Sequence, residues 1–178
     1  MMKTLVLPLA LLAMPLSAET DEFGTLNPDE MTWQNNLTAA ERGETSMMMC
    51  ASGYMMTKSG DHETARKIFE ACAEDGWTGT MTWLSQLDNN GLAGAYDPDA
   101  AAEWDRKAAE LGDPVGKFNY GLALIRGHGV QKDEEAGRAL IDEAAATGLP
   151  IARRMVAADY DPEEVTPDAD NWKYAPLF

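Results

Sequence analysis

Histidine, cysteine and positive charge are all scarce in this chain, and each shortage removes a class of function. Its two histidines, His62 and His128, cannot build a histidine-rich metal site. His62-Glu63 opens like a zincin motif, but Arg66 stands where the second histidine belongs, and His128 lies between two glycines. Only 14 Lys and Arg accompany 30 Asp and Glu, a net charge of -16. Without a basic patch for a phosphate backbone, nucleic acid is excluded as a partner. The acidic excess reads as a solvated, soluble surface, with steering of a basic partner as the alternative. Gly127-His128-Gly129 continues to Lys132 rather than a third glycine, so it is no dinucleotide loop. Neither Ser-x-x-Lys nor Gly-x-Ser-x-Gly occurs, which removes the usual serine acyl-enzyme signatures. Asp159, Asp161, Glu163 and Glu164 fit no EF-hand spacing and read as a solvated acidic linker. No catalytic, cofactor-binding or metal-ligating residue is assigned, and no stretch is long and apolar enough to span a bilayer.

What the chain does have is a period. Asp61, Asp97 and Asp133 recur at steps of 36 residues, as do Gly76, Gly112 and Gly148. Each aspartate can cap a helix with its side-chain oxygen, and each glycine can end it, so every interval holds one helix of about 14 residues. Cys72, Ala108 and Ala144, followed by Ala73, Ala109 and Ala145, put small side chains where a second helix must come close. Ile68, Trp104 and Leu140 fill the position one turn earlier. The most complete unit runs from Asp113 to Gly148: Asp113-Pro114 starts a helix that reaches about Arg126, Gly127-x-Gly129-Val130 breaks it, and Asp133 caps the next. Pro150 opens a helix of a fourth unit, to about Ala158. A period of this size means stacked units sharing one continuous core.

The unit resembles a Sel-one-like repeat, the slightly longer relative of the tetratricopeptide repeat. Unit three carries the pattern in Tyr120-Gly121, Gly127-x-Gly129-Val130, Asp133, Ala136, Leu140, Ala144-Ala145 and Gly148. Unit two keeps Gly91, Asp97, Ala100, Trp104, Ala108-Ala109 and Gly112, with Ala93-Gly94 replacing the loop Gly-Val. Unit one is nearer a plain tetratricopeptide repeat, with Gly53, Gly60, Ala65, Phe69 and Cys72. The resemblance implies an all-α fold, a right-handed α-solenoid of about three stacked helical hairpins plus a C-terminal capping helix. It also implies a module that holds another protein, and no reaction.

Around the repeat domain, 46–158, the chain divides into three further segments. Residues 1–18 read as a signal peptide, with Lys3, the apolar run from Leu5 to Met14, and Leu16-Ser17-Ala18 as a cleavage site; the protein is expected to be periplasmic or secreted. Residues 19–45 read as a leader with a short helix around Pro28 to Leu37, after which Thr38-x-x-Glu41 looks like a capping box opening a helix toward Met56, with Gly43 and Thr45-Ser46 allowing a break. Residues 159–178 read as a non-helical acidic linker ending in Trp172, Tyr174, Leu177 and Phe178, an aromatic tail that either caps the last helix or serves as a docking peptide. The methionines Met47, Met48, Met49, Met55 and Met56 read as core filler, or alternatively as an adaptable apolar lining.

Cys50 and Cys72, the only cysteines, fall on the two helices of unit one. In an exported protein an isolated pair is expected to form a disulfide, and Cys72 occupies the small-residue position that faces the first helix. This resembles the cysteine-rich secreted members of the family, whose paired helices are bridged. A catalytic thiol is the alternative, but neither cysteine has a CxxC context.

In tetratricopeptide-like stacks the first helix of each unit lines the concave face. Carried over position by position, the partner groove falls on Met47, Tyr54 and Lys58 in unit one, Thr82, Gln86, Asn89 and Asn90 in unit two, and Phe118, Leu122 and Arg126 in unit three. Amides can bond an extended peptide backbone while aromatic and aliphatic side chains receive its side chains. The function expected is an adaptor or regulator of another envelope or secreted protein. A cell-wall amidase or β-lactam-binding enzyme is the alternative, for which no nucleophile can be named, and a structural part of an envelope assembly is the third.

Overall fold

The computed structural model describes residues 32–165, so the expected signal peptide, the Pro28 start of the leader helix and the aromatic tail lie outside the described residues. Eight α-helices succeed one another there: α1 Trp33–Glu41, α2 Met47–Ser59, α3 His62–Glu74, α4 Thr78–Asn90, α5 Pro98–Glu110, α6 Pro114–Arg126, α7 Glu134–Ala146 and α8 Pro150–Ala157. They form an all-α solenoid of three hairpins, α2/α3, α4/α5 and α6/α7, closed by α8, with α1 packed mainly on α3.

The aspartate ladder is a ladder of caps. Asp61 accepts from Thr64 N at 3.1 Å, Asp97 from Ala100 N at 3.0 Å, and Asp133 from Ala136 N at 3.0 Å. Each satisfies a backbone N–H that has no partner within its helix. Gly76, Gly112 and Gly148 take φ of 88°, 89° and 101°, which ends each second helix after 13 residues. These helices bury one stripe: Ala65, Ile68, Phe69, Cys72 and Ala73 on α3, and Ala101, Ala102, Asp105, Ala108 and Ala109 on α5.

Glycine sets how closely the helices of unit three approach. A Cβ on Gly121 would lie 2.8 Å from the Gly137 carbonyl oxygen, and one on Gly137 would lie 2.5 Å from the Gly121 oxygen. The two backbones therefore touch where α6 crosses α7. Between units two and three, a Cβ on Gly116 would meet that of Ala108 at 2.5 Å, so the small-residue stripe of α5 receives α6. The core lies between the helices. Phe69, Met81, Leu84 and Leu87 fill its first half, and Phe118, Ile125, Ile141 and Met155 its second.

Three expectations are corrected. Thr38 does not open a helix: it lies inside α1, which Thr32 caps by accepting from Asn35 N at 3.2 Å. The chain then breaks at Gly43, whose φ is 70°, and Ser46 caps α2 by accepting from Met49 N. The methionines are not uniformly core. Met49 is buried and Met56 packs against the core, whereas Met47, Met48 and Met55 are exposed, because only one face of α2 meets α3. The acidic linker is not wholly irregular either. Pro162–Glu164 form a 3-10 turn, capped by Asp161 accepting from Glu163 N at 3.0 Å and started by Pro162, whose φ suits a first turn.

Candidate partner-binding groove

The expected disulfide is present. Cys50 on α2 and Cys72 on α3 are bonded across a Cα separation of 5.9 Å, at a sequence separation of 22. Cys72 and its neighbours Met49 and Ile68 are buried, so the bridge sits in the core of the first hairpin and not at a reactive surface.

One groove of about 750 Å³ runs along α4 and α6, the first helices of units two and three. All seven residues expected there from those units line it: Thr82, Gln86, Asn89 and Asn90 from α4, and Phe118, Leu122 and Arg126 from α6. Helical spacing explains the alignment, since these positions fall three or four apart on one face. The unit-one residues go elsewhere. Met47 and Tyr54 line a separate depression of about 370 Å³, and Lys58 lines neither cavity, its Nζ lying 5.1 Å from the centre of the Tyr54 ring. Trp83 lines both cavities, with its ring 5.1 Å from that of Tyr54 and 6.2 Å from that of Phe69. Unit one also differs in its loop: Gly60 and Asp61 alone part α2 from α3, where residues 91–97 and 127–133 part the helices of units two and three.

Two of the seven have roles that the sequence does not reveal. Phe118 is 3% exposed and packs with Ile125, Ile141 and Met155, so it is the floor of the groove and not a free contact. Arg126 is already engaged: its Nη2 donates to the carbonyl of Pro162 at 2.6 Å and to that of Val165. Burial pulls this guanidinium below its usual pKa range, opposed by the charge of Glu163. The segment after α8 is thus pinned against one end of the groove, and Val165 itself lines it.

At the other end, the loop of unit three reaches back to unit two. His128 Nε2 lies 3.0 Å from Asn89 Oδ1, and its ring lies 6.4 Å from that of the exposed Tyr96. Gly129 makes this approach feasible, because a Cβ there would come within 1.9 Å of the Pro98 oxygen.

Asp105 is the residue that sequence reading missed. It is 4% exposed at the base of the groove, where Ser85 Oγ donates to its Oδ2 at 2.6 Å and Asn119 Nδ2 donates to its Oδ1 at 3.1 Å. One carboxyl thus ties α4, α5 and α6 together. Burial pushes its pKa up to about 7; the two hydrogen bonds oppose that shift, and the charge of Asp113 adds to it. The available signal was an acid on the alanine stripe between Ala101 and Ala108.

No protein-family model matches the chain. Three solved structures share its architecture. A Sel1 repeat protein from Oxalobacter formigenes superimposes with a TM-score of 0.64 at 18% identity, over 72% of this chain and 53% of that one. A protective antigen present in uropathogenic Escherichia coli strains, displaying an SLR fold, gives 0.59 at 24% identity, over 74% of this chain and 31% of its own. This is the Sel1-like, or Sel-one-like, repeat fold. The cysteine rich protein B of Helicobacter pylori carries the same Sel1-like fold, with a TM-score of 0.55 at 22% identity over 68% of this chain and 90% of that one. The chain spans about a third of the antigen and about half of the Oxalobacter protein. In Sel1-like terms the groove belongs to the two units that best keep the repeat pattern.

Among the described residues, no cluster of three or more His, Cys, Asp or Glu is placed to hold a metal ion, and no helix is long and apolar enough to cross a membrane.

Proposed function

We propose that this protein is an exported protein–protein interaction module, and that the groove along α4 and α6 receives an extended segment of another envelope or secreted protein. The carrying observation is the composition of the groove. Gln86, Asn89 and Asn90 present amides above an apolar surface made by Trp83, Phe118 and Leu122. Extended backbones take hydrogen bonds from such amides, and their alternate side chains settle on the apolar floor. Export is supported by the signal-like residues 1–18 and by the disulfide, a bond that persists in oxidising compartments. The fold's usual role in holding proteins supports the same reading, as does the absence of a nameable nucleophile for a cell-wall enzyme.

Cross-linking capture from the cell envelope, followed by mass spectrometry, tests the proposal. The variants Q86A/N90A and A123R alter the groove at residues that line it without occupying the core. Each is expected to weaken capture about ten-fold or more, equivalent to about 1.4 kcal/mol. Undiminished capture by both variants, folded as judged by circular dichroism, would refute the groove assignment.

A further inference from the structure

Val165, the last described residue, lines one end of the groove. After α8 the backbone reverses through Asp159 and Tyr160, which take left-handed φ of 53° and 60°, and then forms the 3-10 turn. That reversal is fastened at several points: Tyr160 Oη donates to Asp142 at 2.5 Å, Arg154 pairs with Glu164 at 3.9 Å, and Arg126 holds the carbonyls of Pro162 and Val165. Val165 is itself buried in the cluster beneath the groove, beside Phe118 and Ile125. The last 13 residues of the chain therefore start at the groove's end.

Their chemistry matches the groove. We propose that residues 171–178 of this same chain are a tethered ligand of the groove, which an external partner must displace. The segment carries Trp172, Tyr174, Leu177 and Phe178, and its single cation is Lys173. Pro167 and Pro176 disfavour a helix and suit the extended form that the groove amides can bond. Exposed Tyr96 and Val115, with half-buried Trp83 and Leu122, offer apolar surface. Reach is sufficient. The 13 residues after Val165 extend to about 43 Å, whereas crossing from α8 to α4 past α6 covers two helix spacings of about 10 Å each. A short tether also holds its ligand at an effective concentration in the millimolar range, so weak intrinsic binding is enough to occupy the groove.

The inference rests on the groove being a peptide-binding surface, and its test is arranged to separate the two. Full-length protein and full-length W172A/F178A are titrated with a fluorescein-labelled synthetic peptide of residues 166–178. With its own tail weakened, W172A/F178A is expected to bind the peptide about ten-fold more tightly than the unaltered chain. Adding A123R, or Q86A/N90A where A123R perturbs folding, is expected to remove that gain. Hydrogen exchange supplies a second readout: amides of α4 and α6 that face the groove lose protection in W172A/F178A. Equal affinity of the two proteins for the peptide, binding by neither, or a gain untouched by the groove substitutions would each overturn the proposal. If that happens while A123R still abolishes capture of the envelope partner, the tethered ligand is refuted and the groove's role in partner binding stands.

Discussion

Asp105 couples the stability of the groove to pH. Its pKa, pushed up to about 7 in the fold, lies above the roughly 3.9 of an unfolded aspartate. The folded state therefore favours the protonated carboxyl. The resulting stabilisation is complete below about pH 4, is lost as pH rises toward 7, and changes little beyond that, a total on the order of 2 to 4 kcal/mol. Asp105→Asn keeps the shape, since its oxygen can accept from Asn119 while its amide donates to Ser85 Oγ, and it carries no charge. Urea midpoints at pH 4.5 and pH 8 decide the matter. The unaltered chain is expected to lose stability between them while D105N stays nearly level and becomes the more stable protein at pH 8; parallel behaviour would contradict the assignment. A residue like this is hard to read from sequence because its environment is made by α4 and α6, not by its own helix. Phe118 and Arg126 illustrate the same limit. Their face of α6 was legible from helical spacing, but the depth of Phe118 and the engagement of Arg126 by residues 162–165 depend on segments far away in sequence.

At the scale of an element, the caps were legible because they are local. Asp61, Asp97 and Asp133 bond an amide three residues ahead, so a recurrent residue type announces the helix without tertiary knowledge. The same locality misleads at Thr38-x-x-Glu41, which satisfies a capping template yet sits within α1, since Thr32 already caps that helix and Gly43 ends the run. Packing between elements gives a second prediction. A Cβ on Gly121 would press on the Gly137 backbone at 2.8 Å and on Ile141 Cγ1 at 2.9 Å, so G121A is expected to destabilise by about 1 to 3 kcal/mol. Gly79, at the start of α4, has nothing within 4 Å of such an atom, and G79A is expected to be neutral or slightly stabilising. Equal losses in the two variants, measured by chemical denaturation, would mean that close backbone approach does not set the α6–α7 crossing. The disulfide belongs to this scale too. Closing a loop of 22 residues contributes about 3 kcal/mol in the chain-entropy model. Reduction should then lower the melting temperature by roughly 6 to 12 °C for a domain of this size. Natively purified protein should show no titratable thiol, and two reactive thiols per chain would contradict the bridge.

For the whole molecule, the 36-residue step dictated a stack, and the stack aligned α4 with α6 to form the groove. Unit one breaks that alignment. Its Met47 and Tyr54 line their own depression, and its exposed methionines leave an apolar surface on α2 whose role the repeat pattern does not define. The central claim is that partners bind along the α4–α6 face and not on the outward faces of the second helices. Site-specific photo-cross-linking in the living cell addresses it most directly, with a benzoylphenylalanine placed singly at Gln86 or Ala123 in the groove, and at Lys107 or Glu135 on α5 and α7 outside it. Adducts of one defined mass from positions 86 and 123, with none from 107 and 135, are the predicted result. Adducts from 107 and 135 alone would contradict it.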